Sequence, residues 1–327
     1  MSMKFQSCVA LLSLFATMMT AAPLGLVLSG GGAKGAYEVG VWQALEESGV
    51  ASNITAISGT SIGAINGALF ATQPKAAESL WLEKIDDVFN LNTNSISNSI
   101  QKTLDDVSIA LETSKDHGKK LGWTEFIVRE SYRAIKAYLE MNKTNVLRRG
   151  YIDSSYLARA LDESIPPQWQ KKPSVYATAV EKGFDKATSW CLNDETHDKS
   201  VLMLRASAAF PFGFDTVEID GKIYVDGGWE KKGGDNTPLR PILKNHPEIE
   251  KVIVVYLNDD PKKGAEKNRK LAEEAGVGLV EIIPSEDISG WFGVGGTFNA
   301  SPETAQHLIE LGRKDAEAKL RESLLAR

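Results

Sequence analysis

LGLVLSGGGAKGAYEVGVWQALEESGVASNITAISGTSIG, the stretch from Leu24 to Gly63, repeats one pattern: an apolar run that breaks off in glycines before a helical segment. The first run, Leu24 to Ser29, reads as a strand and stops at Gly30-Gly31-Gly32-Ala33-Lys34-Gly35. A helical run from Ala33 to Ser48 follows, with Val39, Val41, Trp42 and Leu45 as its apolar positions. The second strand, Ile54 to Ile57, leads into Ser58-Gly59-Thr60-Ser61-Ile62-Gly63 and a helix through Ala64, Ile65, Ala68 and Leu69. Two strands joined by a crossover helix lie parallel with right-handed connection, which brings both glycine turns to one C-terminal sheet edge. An α/β fold with a mostly parallel central sheet is therefore expected, its two turns facing one crevice.

Further strands are expected at Ser174–Val180, Thr188–Cys191, Val217–Ile219 and Ile223–Val225, the last two joined by the hairpin pair Asp220-Gly221. Lys251–Leu257 and Leu279–Ile283 are apolar enough for buried sheet strands. The chain ends in a helix with Ser301 as N-cap and Pro302 in its first turn, placing Ala305, Leu308, Ile309, Gly312, Ala316 and Leu320 on one face. Between them, residues 74–150 read as a helical insertion capping the sheet edge, with helices near 100–111 and 123–147 and a mobile loop at 90–99. No internal repeat or low-complexity tract interrupts a single α/β domain.

Composition narrows the function. A chain of 327 residues, 43% hydrophobic and 24% charged, can bury a large core. A net charge of -6 supplies no positive field for nucleic acid. Two cysteines, Cys8 and Cys191, exclude a disulfide framework and a Cys-rich zinc site, and the four histidines form no i, i+4 pair. Residues 1–22 carry one cation, Lys4, then an apolar core from Cys8 to Met19 and the small residues Thr20, Ala21 and Ala22. That is the layout of a signal peptide and predicts a secreted or periplasmic protein; the alternative is an uncleaved segment that associates with a membrane. The core is too short to span a bilayer.

Gly30 to Gly35 satisfies G-x-G-x-x-G after a strand, which raises a dinucleotide-binding oxidoreductase as one reading. That reading requires a carboxylate at the end of the second strand, where the sequence has Ile57-Ser58-Gly59. Three consecutive glycines also let backbone N–H groups converge on an oxyanion at a helix N-terminus. The second turn favours this: Gly59-Thr60-Ser61-Ile62-Gly63 is G-x-S-x-G between strand and helix, the context of a nucleophile elbow, so Ser61 is the candidate nucleophile. A base is needed. His246 lies in a polar turn and His307 between core-facing positions, both read as surface residues, and His117 and His197 lie in polar loops. Asp226, ending an apolar strand before Gly227 and Gly228, is the better candidate. Partial burial raises its pKa, and the two glycines are expected to leave its surroundings open.

Taken together, GGGAKG at Gly30–Gly35, GTSIG at Gly59–Gly63 and DGG at Asp226–Gly228, with Ala206-Ser207-Ala208-Ala209-Phe210-Pro211 before the last, resemble the patatin-like phospholipase family. The resemblance spans roughly Leu24 to Leu257 and implies a three-layer α/β/α sandwich over residues 24–327. It implies a Ser-Asp dyad acyl hydrolase acting on phospholipids, lysophospholipids or galactolipids in membranes or micelles. Ser61 would be the nucleophile, Asp226 the general base, and the loop Gly30, Gly31 and Gly32 the oxyanion hole through the amides of Gly31 and Gly32. Gly35, Gly59, Gly63, Gly227 and Gly228 would support these motifs. No EF-hand-like loop is present, so neither metal nor cofactor is expected. A lipid-binding protein with a lapsed site is a further alternative. Lys34 reads as a solvated lysine, with a lipid phosphate as its other possible partner; Arg205 and Lys231 carry the same ambiguity. Trp291, Phe292 and Phe298 line an acyl groove, meet a membrane or simply pack.

Overall fold

A computed structural model describes residues 22–88, 154–169, 173–183, 186–211, 213–229, 233–258, 261–288 and 300–325. The signal-like segment up to residue 21, the expected helices near 100–111 and 123–147, the loop 90–99, His117, Lys231, Trp291, Phe292 and Phe298 lie outside the described residues.

The opening stretch folds as its pattern dictates. Strand β1 (Leu24–Leu28) is followed by a 3-10 turn over Gly32–Gly35, helix α1 (Ala36–Glu47), strand β2 (Ile54–Thr60) and helix α2 (Ile62–Thr72). The helix thus begins three residues later than expected: the glycines are wound into a tighter turn before α1 starts. Strands β1 and β2 pair in parallel, Leu28 opposite Gly59, so both turns leave the same edge. Helix α3 (Pro74–Ser79), a π turn at Leu80–Lys84 and α4 (Ile85–Val88) come next. Leu80, Trp81 and Ile85 are buried in the main core, which corrects the boundary of the expected cap: its first fifteen residues belong to the body of the domain.

The rest comprises α5 (Ser154–Ser164), β3 (Ser174–Glu181), β4 (Ala187–Cys191), α6 (His197–Ser207), β5 (Val217–Ile219), β6 (Lys222–Asp226), α7 (Arg240–Asn245), β7 (Lys251–Val255), α8 (Lys262–Ala275), β8 (Gly278–Ile282) and α9 (Pro302–Leu325). The β5–β6 hairpin turns on Asp220 and Gly221, whose φ values of 51° and 76° are the positive pair a tight two-residue turn requires. Ser301 caps α9, its hydroxyl accepting from Thr304 N–H at 3.2 Å.

Parallel pairing runs β8–β7–β1–β2–β3. The alternation of β1 and β7 explains the layers. Leu26, Leu28, Ile253 and Val255 face one core with α1, α2 and α9, whereas Val27, Val252 and Val254 face a second core with Leu239, Ile242, Ala265 and Ala272 of the α7–α8 side. The architecture is an α/β/α sandwich. Strand β8 departs from expectation: it lies at the sheet edge and is only partly covered, because nothing pairs beyond it among the described residues.

Strand β3 is where the site is set. Its residues 176–180 pair with antiparallel β4 on one edge. On the opposite edge, Thr178 faces Thr60 of β2, while the next residue, Ala179, faces Asp226 of antiparallel β6. β2 and β6 therefore approach from opposite directions and meet end to end.

Candidate active site

That meeting places Ser61, the residue after β2, beside Asp226, the last of β6. Ser61 has φ 54° and ψ −125°, one of two non-glycine residues with positive φ among those described. Such a backbone costs roughly 1–3 kcal/mol and persists only where its surroundings enforce it. Here they do. Side chains on either flank are excluded, since a Cβ on Gly59 would fall 2.3 Å from Gly63 O and one on Gly63 2.6 Å from Leu28 O. Ser61 O accepts from Ala64 N–H at 3.0 Å to start α2, and Ser61 N–H donates to Ser207 Oγ at 2.9 Å.

Asp226 is 4% exposed. Burial pushes its carboxyl up to about 6, against the opposing pull of hydrogen bonds from the Ser61 hydroxyl and Gly228 N–H. The latter donates to Asp226 Oδ1 at 2.7 Å. The two glycines do not leave open space, as expected from sequence; they permit close packing. A Cβ on Gly227 would sit 2.1 Å from Thr178 O and one on Gly228 2.4 Å from Asn236 Oδ1.

The glycine loop lies across the same cavity, which measures about 270 Å³ and is lined by Gly30, Gly31, Gly32, Ser61 and Asp226. Gly30 is not an available donor, because its N–H is given to Asn236 O at 3.1 Å, while Asn236 Nδ2 donates back to Gly30 O at 3.1 Å. Gly30 therefore belongs to the loop as a lining residue and not as an amide donor, in keeping with the expectation that a hole would draw on the amides of Gly31 and Gly32. Behind the loop, Asn66 donates to Gly35 O at 2.9 Å and to Glu38 Oε2 at 2.8 Å, and accepts from Trp81 Nε1 at 3.1 Å. Glu38 is fully buried, and burial holds its carboxyl well above the ordinary carboxylate range.

Opposite the polar floor the wall is apolar, built from Ile62, Ile65, Val88, Leu157, Phe210 and Phe214. Lys34 also lines this cavity and is 6% exposed, so the expectation of a solvated lysine is corrected: the 3-10 turn folds it inward. Arg205, on α6, does not line it.

None of the described histidines lines the cavity. His246 is not a surface residue: its side chain is 13% exposed, held between Tyr176 Oη at 3.0 Å and Glu248 Oε1 at 3.2 Å. His197 contacts Asp162 Oδ1 at 3.0 Å, and His307 contacts Glu286 Oε2 at 3.2 Å.

Sequence reading missed the segment Gly234-Asp235-Asn236. Asp235 N–H donates to Gly227 O at 2.7 Å, Asp235 O accepts from Thr60 Oγ1 at 2.6 Å, and the Asp235 carboxylate pairs with Lys267. It clamps the aspartate turn, the elbow and the glycine loop together. The polar run Asp235-Asn236-Thr237 before Pro238 is its only sequence signal.

The patatin-like phospholipase family model matches residues 26–243, more than half of the chain. Shorter stretches match curated proteins. Lysophospholipase nte1 of Aspergillus terreus is 62% identical over 48 residues, 15% of this chain and 3% of that protein. Patatin-like phospholipase domain-containing protein 6 of Homo sapiens is 45% identical over 65 residues, 20% of this chain and 5% of that protein. The chain thus spans only a few per cent of these relatives' length. Among solved structures, VipD from Legionella pneumophila aligns over 92% of this chain and 67% of its own at 18% identity and TM-score 0.47. Human GIVD cytosolic phospholipase A2 aligns over 94% and 61% at 10% identity and TM-score 0.45.

Proposed function

The chain belongs to the patatin-like phospholipase family, and on that premise we propose that it is a lipid acyl hydrolase with Ser61 as nucleophile and Asp226 as general base. The observation that carries this is the placement of Ser61, on its strained elbow, and the buried Asp226 carboxyl together on the floor of one cavity. Ser61 Oγ attacks the ester carbonyl carbon while Asp226 takes its proton. The carbonyl oxygen becomes an oxyanion facing the Gly31 and Gly32 amides, where fixed donors stabilise developing charge without reorganising. Collapse breaks the ester C–O bond, and Asp226 returns the proton to the departing alcohol. Water then attacks the acyl-serine, Asp226 accepts its proton, and Ser61 leaves with that proton as the fatty acid is released. A carboxyl raised to about 6 is largely ionised at neutral pH yet more basic than a free aspartate, which suits it to both transfers. The aliphatic and aromatic wall of the cavity fits an acyl chain, which supports a membrane or micellar lipid as substrate.

The test compares Ser61→Ala and Asp226→Asn with the unmodified chain on a short-chain aryl ester and on mixed phospholipid micelles, products read by mass spectrometry. Turnover by Ser61→Ala is expected to fall by about 10⁶, with loss of fluorophosphonate labelling. A Ser61→Ala protein retaining a hundredth of the original turnover refutes the assignment.

A further inference from the structure

Ser207 is fully buried and ends α6, where alanine would serve the helix better. Its hydroxyl is committed in both roles. It donates to Thr178 O at 2.6 Å and accepts from Ser61 N–H at 2.9 Å, while its carbonyl accepts from Gly227 N–H at 3.2 Å. These three partners belong to the segments that meet at the site. Thr178 is the β3 residue opposite the end of β2, Ser61 is the elbow, and Gly227 follows Asp226. A hydroxyl has one proton, so giving it to Thr178 O turns a lone pair toward the Ser61 amide. That amide belongs to the residue at φ 54°, and Ser207 Oγ is the acceptor it meets in this conformation. Without Ser207 Oγ the buried N–H has no partner, and the Ser61 peptide gains by rotating away from the strained conformation.

We propose that Ser207 is a positioning residue that holds the Ser61 elbow against β3 and the Asp226 turn, and so sets the approach of Ser61 Oγ to the Asp226 carboxylate. The inference rests on the dyad reading of the site.

Ser207→Ala and Ser207→Cys are compared with Ser61→Ala and the unmodified chain, using p-nitrophenyl butyrate across pH, with competent sites counted by exhaustive fluorophosphonate titration. For Ser207→Ala, kcat per titrated site should fall by about 10², with KM changed by less than about threefold. The acidic limb should also move to higher pH, because the Ser61 hydrogen bond that lowers the Asp226 pKa is weakened. Ser207→Cys keeps a weak acceptor of similar shape and should fall between the two. A merely structural role would reduce the number of titrated sites and the melting temperature but leave kcat per site and the limb in place; that result overturns the proposal. Should Ser207→Ala fail to fold, Ser207→Cys decides by the same two readouts. An active Ser61→Ala refutes the dyad itself, whereas an inactive Ser61→Ala with an unaltered Ser207→Ala refutes the positioning role alone.

Discussion

The Asp226 carboxyl is raised from 3.8 to about 6 chiefly because the folded chain removes it from water. Between those values the folded protein holds a proton that the unfolded chain has released, so this residue makes stability fall as pH rises from about 4 to 6. Asp226→Asn should therefore stabilise the fold near pH 7.5 by up to about 3 kcal/mol while abolishing turnover. The gain should vanish at pH 3.5; urea midpoints at the two pH values check this, and an equal gain at both refutes it. For the proposed hydrolase reaction of the unmodified chain, kcat/KM should fall with an apparent pKa near 6 on the acidic side. Gly32 has φ 60°, so Gly32→Ala introduces both strain and displacement of a proposed oxyanion donor. Its kcat should drop by about 10² to 10³ with KM little changed, and an unchanged kcat removes Gly32 from the hole. Ser61 and Asp226 stand out in the sequence as candidates because each sits in a glycine-marked turn after a strand. Asn236 and the proposed role of Ser207 do not, since their side chains meet backbone amides and carbonyls of distant segments, which no side-chain pattern encodes.

At the level of elements, α1 and α9 cross so closely that a Cβ on Gly312 would lie 2.0 Å from Tyr37 O and one on Gly40 1.8 Å from Ile309 O. Gly312→Ala should push the helices apart and destabilise by roughly 1–3 kcal/mol or more. Gly264 in α8 offers the contrast, its nearest neighbour to an added Cβ being Thr237 Oγ1 at 3.5 Å. Gly264→Ala should stabilise by about 0.5–1 kcal/mol, as alanine does inside a helix. Chemical denaturation of both variants is the check, and a shift of the same sign in the two contradicts the packing argument. Periodicity revealed α9 and its serine cap because capping is local. It misplaced β8 as a buried strand, since an apolar run records what a strand can bury and not whether a neighbour arrives to cover it.

For the molecule as a whole, the chain's last helix completes the core begun by its first strand. Ala305, Leu308 and Ile309 of α9 share one cluster with Leu26 of β1 and Leu45 of α1, and Tyr37 Oη donates to Asp315 Oδ2 at 3.0 Å. A chain ending at Ala300 should lose its cooperative urea transition, by far-UV circular dichroism and tryptophan fluorescence together. A truncated protein melting near the full-length midpoint refutes this. The layered order followed from strand–helix alternation at the start of the chain, but the end-to-end meeting of β2 and β6 did not, because antiparallel β6 joins from more than 160 residues downstream.

That junction makes the chemistry modular. Ser61 and Asp226 are brought into register by adjacent positions on β3, Thr178 and Ala179. Val88 and Leu157, on either side of the interval from 89 to 153, lie on the wall of the cavity, apart from that register. A library at Val88 and Leu157 should therefore vary the preferred acyl chain while leaving the proposed reacting pair in place.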